Sequence, residues 1–210
     1  MIKIENVETY GWEAAIRGMR NPKNSWDKSD SGIAATCDPE KYHFCVGEND
    51  LKLMKALAGA GTDHGKFMRM ITVTLDITAP LYWWKEFDTY KVGTVADSCS
   101  TMHKIHAKKF TLDDFSFEHC ENDAIMMGVM NYVLYVLNKA REAFLETNDK
   151  GFWWDMIQLL PSSYNQKRTV QLNYQVLKNM YHARKNHKLD CWKTFCDWIE
   201  SLPYSELITG

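Results

Sequence analysis

Two stretches of this 210-residue chain carry the side chains best equipped for chemistry. The first is PLYWWKEFDTYKVGTVADSCSTMH, residues 80–103, which supplies Lys85, Glu86, Tyr90, Lys91, Ser98, Ser100 and His103 and runs on into Lys104, His106, Lys108 and Lys109. A cationic set of this kind can hold phosphates; a solvated basic edge accounts for it equally well. Trp83 and Trp84 stand about 100° apart on a helix. One of the pair is expected in the core, leaving the other to stack on a base. Tyr90 can also stack or donate a hydrogen bond. Cys99 lies beside serines without an identifiable oriented base, which argues against a thiol nucleophile. His103 and His106 lack a third ligand, which argues against a metal. The second stretch holds Asn173 and Arg184, about three helical turns apart and so on one face of a helix. An amide with both donor and acceptor beside a planar guanidinium fork suits the edge of a heterocycle and a phosphate or carbonyl. A solvated surface arginine and a packing asparagine are the plain alternative.

Both strands and helices are needed to position these groups. Residues 2–9 alternate as a strand, 11–19 read as a helix, and 20–40 read as a long loop rich in Asn, Pro, Ser, Asp and Gly. Asn49 or Asp50 is expected to cap a helix through LKLMKALAGA that stops at Gly61. In residues 70–77, Ile71, Val73, Leu75 and Ile77 point one way and Thr72, Thr74 and Asp76 the other, the pattern of a strand with one buried face. Pro80 suits the first position of an aromatic helix ending near Asp88. A polar loop, Thr89 to Ser100, follows it, a common setting for a binding site. Thr111 caps an acidic turn. A long helix from about Glu121 to Thr147 gathers Ile125, Val129, Tyr132, Val133, Val136, Leu137, Ala140 and Phe144 near one face. Helices are also expected over 152–160, 165–186 and 190–201. The sum is one α+β domain, residues 1–210, with short strands and a helical second half.

With 45% hydrophobic and 25% charged residues, the chain can build one good core. A net charge of −2 gives no general drive toward nucleic acid or anionic membrane. No apolar run of about 18 residues or more predicts a membrane span, and the N-terminus lacks a signal-peptide layout. Six scattered cysteines without a C-x-x-C pair then read as reduced thiols in a cytoplasm. Eight tryptophans and eleven methionines point to a large adaptable core or a subunit interface rather than to ligand stacking.

Leu160-Pro161, Asn173 twelve residues on, Leu177 and then Arg184 reproduce a spacing that resembles the flavin-dependent thymidylate synthases. Residues 80–102 line up with that family's arginine-rich signature, and Asp63-His64 looks like its Glu-His pair. The resemblance covers roughly residues 60–195. It departs where the family grips its nucleotide. Arg-His-Arg is Thr89-Tyr90-Lys91 here, Arg-Gln is Lys85-Glu86, and the arginine before Leu-Pro is Ile157. Asn-Glu becomes Ala96-Asp97, or Asp97-Ser98 with one inserted residue. With that insertion Ser100 takes the place of the family serine, and the closing Arg-Tyr becomes Met102-His103 in place of Thr101-Met102.

The resemblance implies the thymidylate synthase-complementing-protein fold, a homo-oligomer that is a tetramer, and clefts for a nucleotide, with FAD as the family's cofactor. In the family those arginines grip deoxyuridine monophosphate, and a bidentate phosphate fork is not replaced by Thr or Ile. The expected function is therefore nucleotide binding without thymidylate synthesis, suited to sequestering or sensing a nucleotide, a signalling nucleotide included. The expected ligand-binding set is His64, Lys85, Glu86, Tyr90, Lys91, Ser98, Ser100, His103, Asn173 and Arg184. The alternatives are an active FAD-dependent thymidylate synthase or related pyrimidine-nucleotide methylating or hydroxymethylating enzyme, and a protein-binding module.

Overall fold

The strand β1 (Lys3–Tyr10) opens the regular structure in a computed structural model that describes residues 2–35 and 42–210. Gly11 turns the chain at φ 87°, where a Cβ would overlap the Met70 carbonyl oxygen, so only glycine fits this corner. α1 (Trp12–Arg20) follows, then single 3-10 turns at Asn21–Lys23 and Trp26–Lys28. β2 (Gly32–Ala35) and β3 (Tyr42–Cys45) form an antiparallel ladder pairing Gly32 with Cys45 and Ile33 with Phe44. The stretch expected to be one long loop thus carries turns and a strand; its residues 36–40, with Cys37, lie outside the described residues. α2 (Glu48–Gly59) comes next. Neither Asn49 nor Asp50 caps it. The Asp30 carboxylate reaches over instead and accepts from the Asn49 and Asp50 amides at 2.9 and 3.0 Å.

A 3-10 turn (Gly65–Arg69) leads into β4 (Thr72–Pro80); Ile71 just before the strand and Val73, Leu75 and Ile77 within it are buried as the alternation predicts. α3 (Leu81–Phe87) takes Pro80 as its N-cap rather than as its first residue. The polar stretch after it, expected to be irregular, contains β5 (Val95–Ser98). Thr111 and Asp114 close a capping box around the turn Leu112–Asp114. α4 (Ala124–Thr147) starts where the Asp123 carboxylate accepts from the amides of Ile125 and Met126, and ends at Asn148, which takes a left-handed conformation. Asp149 then caps α5 (Lys150–Leu159) through the Gly151 amide. The helix expected over 165–186 is two elements, β6 (Asn165–Asn173) and α6 (Tyr174–Arg184). Gln166, Val170 and Leu172 are buried at alternate positions of that strand, a period of two overlooked in favour of the adjoining helix. α7 (Asp190–Glu200) and α8 (Glu206–Thr209) complete the chain.

Four strands make a sheet in the order β1-β4-β6-β5. The chain divides into two compact units. One comprises residues 2–5, 76–89 and 96–169; the other comprises 6–35, 42–75, 90–95 and 170–210. In the first, α4 and α5 enclose Met130, Leu137, Ala140 and Met156, and Trp83, Trp84 and Phe87 of α3 pack as an aromatic cluster. In the second, Trp12 and Tyr174 meet edge-on at 5.1 Å, and Leu177, Met180, Trp192 and Phe195 are buried. Among the described residues no helix is long and apolar enough to cross a membrane.

Candidate functional site

Asn173 and Arg184 bracket α6. Asn173 is extended, at φ −129° and ψ 167°, and its Oδ1 accepts from the Val176 amide at 3.0 Å, so it caps the helix instead of sharing a face with Arg184. Its Nδ2 lies 3.0 Å from where a Cβ on Gly93 would stand, and Gly93 sits at φ 79°. That close approach brings the turn after Tyr90 against the start of α6.

Arg184 at the far end is half-buried rather than solvated. Its guanidinium carbon lies 4.8 Å from the Trp192 ring centre and 5.6 Å from that of Tyr90, and its Nε donates to the Tyr90 hydroxyl at 3.0 Å. Tyr90 and His187 each meet Trp192 edge-on, at 6.2 and 6.3 Å. Aromatic faces attract a cation and lock its planar fork in one orientation. This unit therefore joins Tyr90 to Arg184 and sets Asn173 beside the same Tyr90–Val95 segment, whose Lys91 is exposed. His64, in the same unit, is elsewhere: it lines a cavity of about 510 Å³ bounded by α1, α2 and the Gly65–Arg69 turn.

The other unit holds the remaining predicted residues in separate places. Lys85 is exposed on α3 and Glu86 is half-buried beside it. Ser98 lines a small depression of about 230 Å³ with Asp97, Cys99, Lys167 and Thr169. Lys167 Nζ pairs with Asp76 at 2.9 Å, and the Thr169 hydroxyl donates to the same carboxylate at 2.7 Å. Ser100 is spent on a local turn, its oxygen accepting from the Met102 and His103 amides at 3.1 and 2.9 Å. That tie fixes the His103 backbone and leaves its ring exposed. Both tryptophans of α3 are core, against the expectation that one would stack on a ligand. Trp84 is covered by the guanidinium of Arg168 at 4.2 Å, itself paired with Asp88 at 2.7 Å. No three metal-binding side chains gather among the described residues. The described cysteines are free thiols. Burial pushes that of Cys196 up to about 11, the behaviour of a packing residue.

No protein-family model matches the chain, and no curated protein matches it in sequence. Solved structures do match. Thymidylate synthase X (ThyX) of Helicobacter pylori with FAD and dUMP superposes with a TM-score of 0.70 at 15% identity, over all of this chain and 97% of the other. A second structure of that enzyme, complexed with FAD and dUMP, gives 0.69 at 16% identity, over 99% and 97%. The UMP/dUMP methylase PolB of Streptomyces cacaoi, bound with 5-Br dUMP, gives 0.61 at 12% identity, over 98% and 93%. The fold is that of the flavin-dependent thymidylate synthases.

The expected thymidylate-synthase fold is thus met, and Tyr90 and Arg184 gain partners that residue order alone did not disclose. Trp192, which carries the Arg184 guanidinium at 4.8 Å, has no sequence signal beyond its residue type. Lys167, Arg168 and Thr169 were missed because their strand was read as helix. The period-two burial around Val170 and Leu172 was the signal that would have placed them.

Proposed function

We propose that this chain is a nucleotide-binding homo-oligomer that uses a thymidylate-synthase fold without making thymidylate, holding a nucleotide for sequestration or sensing. The observation that carries this reading is Arg184, held against the Trp192 and Tyr90 rings at the position the resemblance gives to a ligand-binding arginine. A half-buried guanidinium fixed by aromatic neighbours is pre-organised to meet a phosphate or base carbonyl. Thr89, Lys91 and Ile157 stand where the family pattern has arginines, which removes forks that charge stabilisation would need. The H. pylori neighbours were solved with FAD and dUMP, and PolB with a brominated dUMP, so pyrimidine nucleotides lead the ligand panel.

The second reading, an active flavoenzyme, is favoured by the same neighbours, one of which is a UMP/dUMP methylase. Asn173 and Arg184 suit the edge of a flavin, with Tyr90 holding the arginine in place. Bound FAD would supply hydride transfer.

A visible spectrum of the fresh protein, followed by mass spectrometry of what heat denaturation releases, separates the two. Near-stoichiometric flavin supports the enzyme, and a nucleotide without flavin supports the binder. Binding to the native state must also raise stability. A flat thermal-shift response across mono-, di- and cyclic nucleotides therefore sinks the binding reading.

A further inference from the structure

The β2–β3 pair and the start of α1, with the end of β1, line a groove of about 440 Å³. Ile33 and Phe44 lie directly opposite each other in the ladder and so form one wall on the same face. Tyr10 and Trp12 line the groove on either side of the Gly11 corner. The wall is fixed at its base. The Val46 amide donates to the Tyr204 hydroxyl at 3.1 Å, and the Gly47 amide to the Ser31 oxygen at 2.9 Å. That Ser31 hydroxyl donates in turn to buried Asp50 at 2.6 Å. Trp12 is held edge-on by Tyr174 and Tyr204, at 5.1 Å each. Tyr10 and Phe44 have no such neighbour: neither ring meets another among the described residues. Tyr10 and Ile33 are 51 and 69% exposed. The rim is polar. Arg17 Nη1 donates to the Glu13 carboxylate at 3.1 Å, and the Tyr10 hydroxyl is bonded to Glu8.

We propose that this groove binds an uncharged, flat nitrogen heterocycle, the class of free nucleobases and nucleosides. Its volume falls in the range of small-molecule sites, which combine an apolar lining with a few polar groups. The flat shape follows from Tyr10 and Phe44, two rings without ring partners that line one space, since a π-face is what an unstacked ring accepts. The heterocycle follows from the rim, where the Glu13–Arg17 pair presents an acceptor and donors to the edge of a ring. The absence of charge follows from the same rim. Glu13 and Arg17 cancel, and Glu8 leaves one negative charge over, which repels a phosphate. The groove shares no residue with the Arg184 site or with the cavity beside His64. It stands or falls apart from the nucleotide reading.

The fluorescent adenine isomer aminopurine, uncharged and quenched when it stacks on aromatic rings, is the probe. It is titrated into the full chain carrying Arg184→Lys, so that the nucleotide site does not contribute, and into wild type. Both should quench it saturably at one site per chain. Tyr10→Ala and Phe44→Ala, each made in that background and checked for cooperative thermal unfolding, should weaken it about tenfold, the loss of one stacking face. Aminopurine riboside should bind like the base, and its monophosphate about tenfold less well. Glu13→Gln should bring the monophosphate closer to the base in affinity. Equal quenching in the parent, Tyr10→Ala and Phe44→Ala would overturn the proposal, as would no saturable quenching by a cooperatively folded protein. Binding that disappears with Arg184→Lys would place the base in the nucleotide site and overturn it too. A monophosphate that binds the Arg184→Lys protein as tightly as the base would overturn the uncharged class. Loss of the nucleotide-induced thermal shift with aminopurine still bound would count against the nucleotide reading alone.

Discussion

Tyr90 is the residue on which the nucleotide reading turns, because it does two jobs for Arg184. Its ring offers the guanidinium a face, and its hydroxyl accepts from Nε at 3.0 Å. Tyr90→Phe keeps the first and removes the second. A partly buried hydrogen bond to a charged group is worth roughly 1.5–3 kcal/mol, so we expect the urea midpoint to fall and nucleotide affinity to weaken about tenfold by calorimetry. Arg184→Lys should do more harm than its conservative look suggests. An ammonium keeps the charge, but it cannot lie flat on Trp192 or present a fork, and we expect the nucleotide-induced thermal shift to vanish. If Arg184→Lys binds nucleotide like wild type, Arg184 is only a packing residue. The Asn173–Arg184 spacing was legible in the sequence because both residues bracket a single helix. Their partners were not. Tyr90 is 94 residues away from Arg184, and only the fold brings the two together. Ser100 shows the opposite failure: its residue type suggested ligand contact, whereas its hydroxyl oxygen is engaged by the next turn of its own backbone.

Among elements, the network under the 20–31 segment dominates. Asp50 is wholly buried and accepts from Arg20, from the hydroxyls of Ser29 and Ser31 at 2.6 Å each, and from two backbone amides. Breaking a buried pair by removing one partner costs roughly 3–5 kcal/mol, and Asp50→Asn should approach that in urea unfolding. Burial alone would raise the Asp50 carboxyl. The hydrogen bonds from Ser29, Ser31 and Arg20, with the Arg20 charge, outweigh it and hold the group below the usual carboxylate range. A pKa lowered by folding adds stability that is complete above the unfolded value, about 4, and drains away as pH falls through the folded value. Wild type should therefore lose stability on acidification below about pH 4, and Asp50→Asn should lose less over that window. A parallel pH profile in the two proteins would rule out Asp50 as the source. Gly11→Ala tests the corner between β1 and α1. Strained φ and overlap with the Met70 carbonyl act together there, and a loss of at least about 1–3 kcal/mol is expected by the same measurement. Elements with strong periodicity or local caps, β4 and α4 among them, were legible in the sequence. The cap of α2 was not, because it comes from Asp30, about twenty residues upstream. β5 was not legible either, since Val95–Ser98 is exposed throughout and carries no buried face for a pattern to reveal.

The proposed homo-oligomer can be tested through the apolar residues of α4. The sequence placed them on a single face, but the structure divides them. Met130, Leu137 and Ala140 are buried in the unit's own core, with Val133 and Phe144 packed against them. Ile125, Val129 and Tyr132 are 78, 55 and 68% exposed. Their spacing of four and three residues makes a continuous stripe along the helix, prolonged by Val136. An apolar stripe beside an already buried face is the mark of a helix that meets a second surface. The surface most consistent with the expected homo-oligomer is another copy of this chain, since an isologous contact pairs the same stripe from both copies about a two-fold axis. Fully burying a side chain of this size is worth roughly 1.5–3 kcal/mol, counted twice by the symmetry. Val129→Glu places a charge at the centre of that contact in both copies at once. We expect sedimentation velocity to show wild type as an oligomer and Val129→Glu as a smaller species whose far-ultraviolet circular dichroism is unchanged. A control at Lys193, an exposed α7 residue paired locally with Asp190, should leave the oligomer intact. An assembly that survives Val129→Glu would have to be held by another face, and the stripe on α4 would then need a different partner.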